Sequence, residues 1–201
     1  MDNSDVLSRR NWIFDLDGTL TVPKHDFAHI RQVLGIPDDK DILGYLAEVP
    51  EERGALLRAE LNDIGSRIAH DTEAADGVAN LLRCLSRRDV RMGILTRNTR
   101  HHAMVSLEAI GLLDYFAPDT ILGRDEAAPK PAPEGIRKLL AAWQAHATDA
   151  VMVGDYLFDL QTGRAADVGT VHVDETGQYP WPGMTDLGVR SLVELRARIP
   201  Q

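Results

Sequence analysis

Short apolar runs and helical patterns alternate along most of the chain. Strand-forming residues bounded by glycine or polar turns predict five buried strands, over 12–14, 90–95, 119–122, 150–153 and 168–173. Apolar residues at i, i+3, i+4 and i+7 predict helices between them, over 76–88, 99–110, 134–145 and 157–166. Strands that alternate with helices of this length predict an α/β fold, with a mainly parallel, doubly wound sheet covered on both faces. In such sheets the ligand site lies outside the carboxyl ends of the strands.

The stretch between the first strand and residue 76 has a different pattern. Helical periodicity continues from 26 to 70 with no strand pattern, and the prolines of 35–37 and 49–50 interrupt it. We therefore predict a small all-helical insertion of two to three helices, a cap over 22–75, inserted into a core domain made of 1–21 and 76–201. The segment 172–188, after the last clear strand, is predicted to be a packed surface loop.

Charge and composition narrow the classes of partner. The chain has 201 residues and a formal net charge of −9, which argues against a basic nucleic-acid interface and against binding to an anionic membrane surface. No apolar run approaches the ~20 residues of a membrane span, and residues 1–10 do not resemble an export signal. Cys84 is the only cysteine, so an internal disulfide is excluded, and a reducing, cytoplasmic location is the expectation.

Polar side chains follow the predicted strands where a ligand site is expected. The first strand is followed by Asp15 and Asp17, the second by Thr96, and the fourth by Asp155. Each has a purely structural alternative, since Thr96 or Asp155 could be a helix N-cap. Their joint occurrence at successive strand ends favours a functional site. The other candidates are a lysine in a proline-rich loop, a carboxylate one helical turn after Asp155, and the residues that follow Asp17 and Thr96: Lys130, Asp159, Gly18, Thr19, Arg97 and Asn98.

These residue types suit phosphoryl transfer. Carboxylates with nearby hydroxyl and carbonyl oxygens form the hard oxygen environment that Mg²⁺ prefers, whereas zinc calls for His or Cys. Lys130, the Thr96 hydroxyl and the backbone N–H groups after Asp17 can hold phosphate oxygens, and the reaction needs little beyond positioning and charge neutralisation. An ionised Asp15 can attack phosphorus. Asp17 can protonate the leaving oxygen and later accept a proton from water.

Four motifs, in order, resemble those of the haloacid dehalogenase-like (HAD) hydrolase superfamily, in the phosphatase branch near phosphoglycolate phosphatases and β-phosphoglucomutases. They are Asp15-Leu16-Asp17-Gly18-Thr19-Leu20-Thr21, Thr96 after Gly93-Ile94-Leu95, Lys130 in Lys-Pro-Ala-Pro, and Gly154-Asp155-Tyr156-Leu157-Phe158-Asp159. The resemblance implies a Rossmann-like three-layer core with a helical cap after the first strand. It also implies a Mg²⁺-dependent phosphatase that acts on a small phosphorylated metabolite through an aspartyl-phosphate.

The same resemblance implies a role for each residue. Asp15 is the nucleophile, and Asp17 is the acid/base, whose backbone carbonyl also ligates Mg²⁺. Asp15 and Asp155 are the direct carboxylate ligands, and Asp159 acts in the outer shell or through water. Thr96 and Lys130 bind the phosphoryl group, together with Gly18, Thr19, Arg97 and Asn98. Asp17 argues against a dehalogenase, because that branch lacks the second aspartate.

Several alternatives stay open. The cap is shorter than the usual four-helix cap, so the substrate is open, and His25 and His29 at the cap entrance either contact it or form a solvated hinge. A phosphomutase of the same family is an alternative function. A phospho-accepting signalling module is another, although its acceptor aspartate would follow a later strand. A binding protein that keeps the fold without activity is a third. The expected state is a monomer or weak homodimer.

Overall fold

Six parallel strands form one sheet, in the order β3-β2-β1-β4-β5-β6. The computed structural model describes residues 6–200, so residues 1–5 and 201 of the predicted core domain lie outside the described part. The strands are β1 (Asn11–Phe14), β2 (Arg91–Leu95), β3 (Ile121–Leu122), β4 (Ala150–Gly154), β5 (Gly169–Val173) and β6 (Leu187–Val189). This arrangement confirms the predicted α/β fold.

Helices cover both faces of the sheet. Successive side chains of β1 point to opposite faces and pack against different helices. Trp12 and Phe14 belong to a large apolar cluster with residues of α4, α5 and α8, whereas Ile13 packs in a second cluster with residues of α6. Three layers result. The helices are α1 (Phe27–Leu34), α2 (Ile42–Glu48), α3 (Glu51–His70), α4 (Val78–Ser86), α5 (Arg100–Ala109), α6 (Glu134–Trp143), α7 (Leu157–Ala165) and α8 (Leu192–Arg198).

The insertion consists of three helices, α1 to α3, with a small apolar cluster of their own around Ile30, Leu34 and Leu46. Its two connections to the core run side by side: the N–H of Val22 donates to the carbonyl of Glu73 at 2.9 Å, and the N–H of Ala75 donates to that of Leu20 at 3.0 Å. Because these two connections are hydrogen-bonded to each other, the chain enters and leaves the cap at one place on the core.

The predicted loop over 172–188 is present at 174–186, but the prediction was wrong at its C-terminal end. The segment contains a short 3₁₀ turn and β6, which pairs in parallel with β5, and α8 follows it. β6 has only three residues, with Gly188 at its centre, so no two-residue period was long enough to detect. Strand β3 is also shorter than predicted, because residues 118–120 form a 3₁₀ turn. The other boundaries differ by one or two residues.

Two further features concern composition. Cys84 is half-buried and packs against the larger apolar cluster, as a structural residue would. Within the described residues, no helix combines the length and the apolar character that crossing a membrane requires.

Candidate active site

A buried lysine joins two carboxylates at the carboxyl edge of the sheet. The ammonium of Lys130 lies 2.5 Å from Oδ1 of Asp15 and 2.6 Å from Oδ1 of Asp159, and all three side chains are at least nine-tenths buried. Asp15 directly follows β1, and its N–H donates to the carbonyl of Val153 on β4. Because β1 and β4 are neighbours in register, Asp155 after β4 lies beside Asp15, as the parallel sheet requires.

Burial controls the electrostatics of this group. Desolvation raises the pKa of Asp15 to about 7, although Lys130 opposes the shift. Burial likewise raises the pKa of Asp155 and of Asp159 to about 6 each, with the Asp159 charge adding to the shift at Asp155. Burial alone would lower the pKa of Lys130, but its contacts with Asp15 and Asp159 outweigh that effect and raise it. The three carboxylates therefore need more positive charge nearby than Lys130 supplies.

A divalent cation fits that need. Single oxygens of Asp15, Asp155 and Asp159 lie within 4.8 Å of one another, and an all-carboxylate set suits Mg²⁺. However, both oxygens of Asp159 are already used: Oδ1 accepts from Lys130 and Oδ2 from the N–H of Tyr156 at 3.1 Å. This geometry favours Asp15 and Asp155 as the direct ligands, with Asp159 holding Lys130.

Asp17 lies apart from Lys130 in a more polar setting. Its Oδ2 accepts from the amide of Asn98 at 3.1 Å and lies 3.4 Å from the hydroxyl of Thr96. Its Oδ1 is 3.8 Å from Nδ1 of His25, and Nε2 of that ring is 3.3 Å from the Asn98 amide. The two aspartates of the first motif therefore have different partners, which allows them to act differently.

The structural alternatives for Thr96 and Asp155 do not hold. The N-cap of α5 is Thr99, whose hydroxyl accepts from the N–H of His102, and the N-cap position of α7 is Tyr156. Neither Thr96 nor Asp155 caps the helix that follows it.

Gly18 and Thr19 have a different place from the one predicted. Their N–H groups donate to the carbonyls of Thr21 and Leu16, at 3.1 and 3.2 Å, so both are engaged within the turn rather than open to a phosphate. Thr19 instead donates its hydroxyl to Oδ1 of Asp155 at 2.9 Å. Gly18 has φ +92°, and a Cβ there would lie 2.7 Å from Oδ2 of Asp155, so only glycine fits. The two residues shape the loop and position Asp155.

A cavity of about 490 Å³ opens between this group and the cap. Core residues of the site and cap residues from α1, α2 and α3 line it together. His25 is among the lining residues and His29, which is exposed, is not. Because cap residues form much of the cavity wall, a ligand bound at Asp15 would also contact the cap.

Arginines connect the core to the cap beside this cavity. Arg97 donates to the carbonyl of Lys130 at 2.8 Å and to Oδ1 of Asp41, which begins α2. Its guanidinium lies 4.4 Å from the centre of the Phe158 ring. Arg124 donates to the carbonyl of Arg97 at 3.2 Å and to Asn62 on α3.

Sequence reasoning missed Arg124, Asp41 and Phe158. Arg124 follows β3, so its strand-end position was the available signal. Nothing in the local pattern singles out Asp41, because its partner Arg97 is 56 residues away.

The comparisons with known proteins agree with the fold and the motifs. The model of the haloacid dehalogenase-like hydrolase family matches residues 21–173. A pyrophosphatase PpaX of Listeria monocytogenes is 32% identical over 178 residues, which are 80% of this chain and 81% of that protein. A phosphoglycolate phosphatase of Rhodospirillum rubrum is 31% identical over 189 residues, covering 79% and 77% of the two chains.

Among solved structures, a hydrolase from Pseudomonas syringae superposes with a TM-score of 0.77 at 20% identity, covering 95% of this chain and 98% of that one. That likeness concerns the fold. Together with the family match over most of the sequence, it leads to one conclusion: the chain belongs to the haloacid dehalogenase-like hydrolases.

Proposed function

We propose that the chain is a Mg²⁺-dependent phosphatase that hydrolyses a small phosphate monoester through an aspartyl-phosphate. The observation that carries this proposal is Lys130, buried between Asp15 and Asp159 at the floor of a cavity. A buried ammonium beside a carboxylate neutralises charge where a phosphoryl group would arrive. The relatives named as phosphatase and pyrophosphatase support the same class of reaction.

The residues divide the reaction between them. The Asp15 carboxylate attacks phosphorus while the bond from phosphorus to the leaving oxygen breaks, and the Asp17 carboxyl gives that oxygen its proton. A water then attacks the aspartyl-phosphate and gives a proton to Asp17, which restores both groups and releases phosphate. Thr96 and Lys130 line the cavity together with Asp15 and would hold the phosphoryl oxygens, and Asn98 keeps Asp17 in position at 3.1 Å.

Asp15 and Asp155 would hold the metal ion, with the backbone carbonyl of Asp17 as a further ligand. When bound, Mg²⁺ supplies the positive charge that offsets the phosphoryl oxygens and keeps Asp15 ionised. Asp159 then serves to orient Lys130, because its own oxygens are used by Lys130 and the N–H of Tyr156.

A direct test is hydrolysis of p-nitrophenyl phosphate and of a panel of phosphorylated metabolites, with Mg²⁺ and with excess chelator. We expect phosphate release that depends on Mg²⁺. Release at the same rate in excess chelator would contradict the metal-dependent mechanism. No release from any substrate with Mg²⁺ present would contradict the phosphatase function itself.

The raised carboxylate pKa values predict that Mg²⁺ binding depends on pH. At pH 5, Asp15 (pKa about 7) and Asp155 (pKa about 6) hold protons that must leave before the ion binds, so affinity rises through pH 6–7 and then levels off. At pH 8, Mg²⁺ at 100 times its Kd should raise the melting temperature by roughly 5–10 °C. The shift should be much smaller at pH 5.

Differential scanning fluorimetry at both pH values measures this effect. Asp155→Asn should lose the shift at pH 8, whereas Asp89→Asn, an exposed aspartate far from the cavity lining, should keep it. An equal Mg²⁺ shift at the two pH values would mean that the ion binds elsewhere.

A further inference from the structure

The part of the cavity where the cap meets the core carries several cations, although the whole chain is acidic. Its lining includes four cations, two of which belong to the cap while the other two are core arginines that contact cap residues: Arg31, Lys40, Arg97 and Arg124. The cap carboxylates Asp39 and Asp41 line the same part, and four core carboxylates line the rest of the cavity: Asp15, Asp17, Asp155 and Asp159. The cavity as a whole is therefore not positive, and an anion would be attracted to these cations locally rather than by the charge of the whole wall.

Arg97 is the cation best placed to act on a ligand. It follows Thr96 directly, and its contact with the Lys130 carbonyl puts the guanidinium one lysine side chain away from Asp15. Phe158 supports the guanidinium from one face. The planar fork of an arginine pairs with a carboxylate or a phosphate more specifically than an ammonium does.

The present partner of Arg97 is a carboxylate from the cap, Asp41. The two side chains are 22% and 42% exposed, so water screens their attraction and the pair is weak. Arg124 contacts Arg97 from the core side, and the two guanidinium charges repel each other. A further anion would relieve that repulsion, which favours its binding here.

We propose that Arg97 binds a second anionic group carried by the leaving group of the substrate, and that Asp41 occupies the guanidinium until this group arrives. The substrate class is then a phosphate monoester with a carboxylate or a second phosphate a few bonds from the phosphorus that reacts. This inference rests on the proposed phosphatase function. Arg97 then determines which substrates are preferred and takes no part in the chemical step.

Matched substrates separate the two sources of negative charge. 3-Phosphoglycerate and glycerol 3-phosphate differ mainly in a carboxylate, and fructose 1,6-bisphosphate and fructose 6-phosphate differ in a second phosphate. The wild-type chain should prefer the more anionic member of at least one pair by about tenfold or more in kcat/KM, because an arginine fork makes charge-assisted hydrogen bonds to a carboxylate or phosphate. The pair with the larger preference identifies the anion.

Arg97→Gln should reduce that preference to within about twofold, and Arg97→Lys should keep part of it. Arg83→Gln, on an exposed face of α4, is the matched control and should leave the preference unchanged. Arg97 also contacts the Lys130 carbonyl, so its substitution can lower the rate for every substrate by displacing Lys130. An overall loss of rate therefore does not test the proposal. The ratio between paired substrates is the measurement.

Asp41→Asn should have the opposite sign. Asn is as good an N-cap as Asp, so α2 keeps its start while Arg97 loses its competitor. KM for the anionic substrate should fall by about twofold to fivefold with little change in kcat. Asp26→Asn makes the same change at the N-cap of α1, where the aspartate accepts from the N–H of His29. Although His25 and Phe27 line the cavity, Asp26 itself does not, and the change should have no effect.

The outcomes are distinct. A wild-type chain that hydrolyses none of these esters with Mg²⁺, p-nitrophenyl phosphate included, overturns the proposed function and this inference with it. A chain that hydrolyses them without preferring the anionic members, or keeps its preference in Arg97→Gln, overturns the inference alone.

Discussion

Asp15→Asn is expected to reduce phosphate release by at least about a thousandfold, because it replaces the attacking carboxylate with an amide of the same shape. The amide oxygen is a poor nucleophile, and the change also removes one negative charge from the proposed metal site. Lys130 keeps Asp159 as a partner, so the fold should remain intact. Steady-state assays with p-nitrophenyl phosphate and Mg²⁺, beside circular dichroism of both proteins, measure the two effects.

Asp119→Asn is the control for this change, since Asp119 is exposed and lies in the turn before β3, far from the cavity lining. It should leave both rate and fold unchanged. If Asp15→Asn retained more than about a tenth of the wild-type rate, the covalent mechanism would be wrong, because loss of the attacking group should reduce the rate much further.

Lys130→Met should have the largest effect on stability. Removing the ammonium leaves Asp15 and Asp159 buried without their cation, and breaking a buried ion pair costs about 3–5 kcal/mol. Lys138→Met is the matched control: that lysine pairs with Glu134 on the surface of α6, where an ion pair contributes about 0–1 kcal/mol. Urea unfolding at pH 8 without Mg²⁺ gives both values.

The loss in Lys130→Met should depend on pH in a definite direction. Asp15 and Asp159 already have raised pKa values with Lys130 present, and removing it raises them further. A carboxyl whose pKa is higher in the folded chain contributes stability at low pH and loses it as pH rises through that value. The deficit should therefore be smaller at pH 5.5 than at pH 8, and a deficit equal to that of Lys138→Met at both would contradict this account.

Local pattern was enough for most of the core. The ends of parallel strands meet at one edge of a sheet, so the sequence predicts that Asp15, Thr96 and Asp155 lie close together. An all-helical insertion of two to three helices followed from periodicity alone, and the structure has three. The edge strand β6 could not be found this way, because three residues with a central glycine carry no period and only pairing with β5 makes them a strand.

The candidate site shows the same difference between what the local sequence indicates and what tertiary contacts decide. The sequence by itself singled out the candidate site residues and their order, because Asp15, Thr96 and Asp155 directly follow strands. Lys130 was indicated by its proline-rich loop, and Asp159 by its position one helical turn after Asp155. Tertiary structure alone decided the rest: the contact of Asp159 with Lys130, the hydrogen bond from Thr19 to Asp155, the place of His25 in the cavity lining with His29 outside it, and the contact of Arg97 with Asp41. Each of these depends on contacts across the core or between cap and core, between residues far apart in the chain, and no local pattern encodes such contacts.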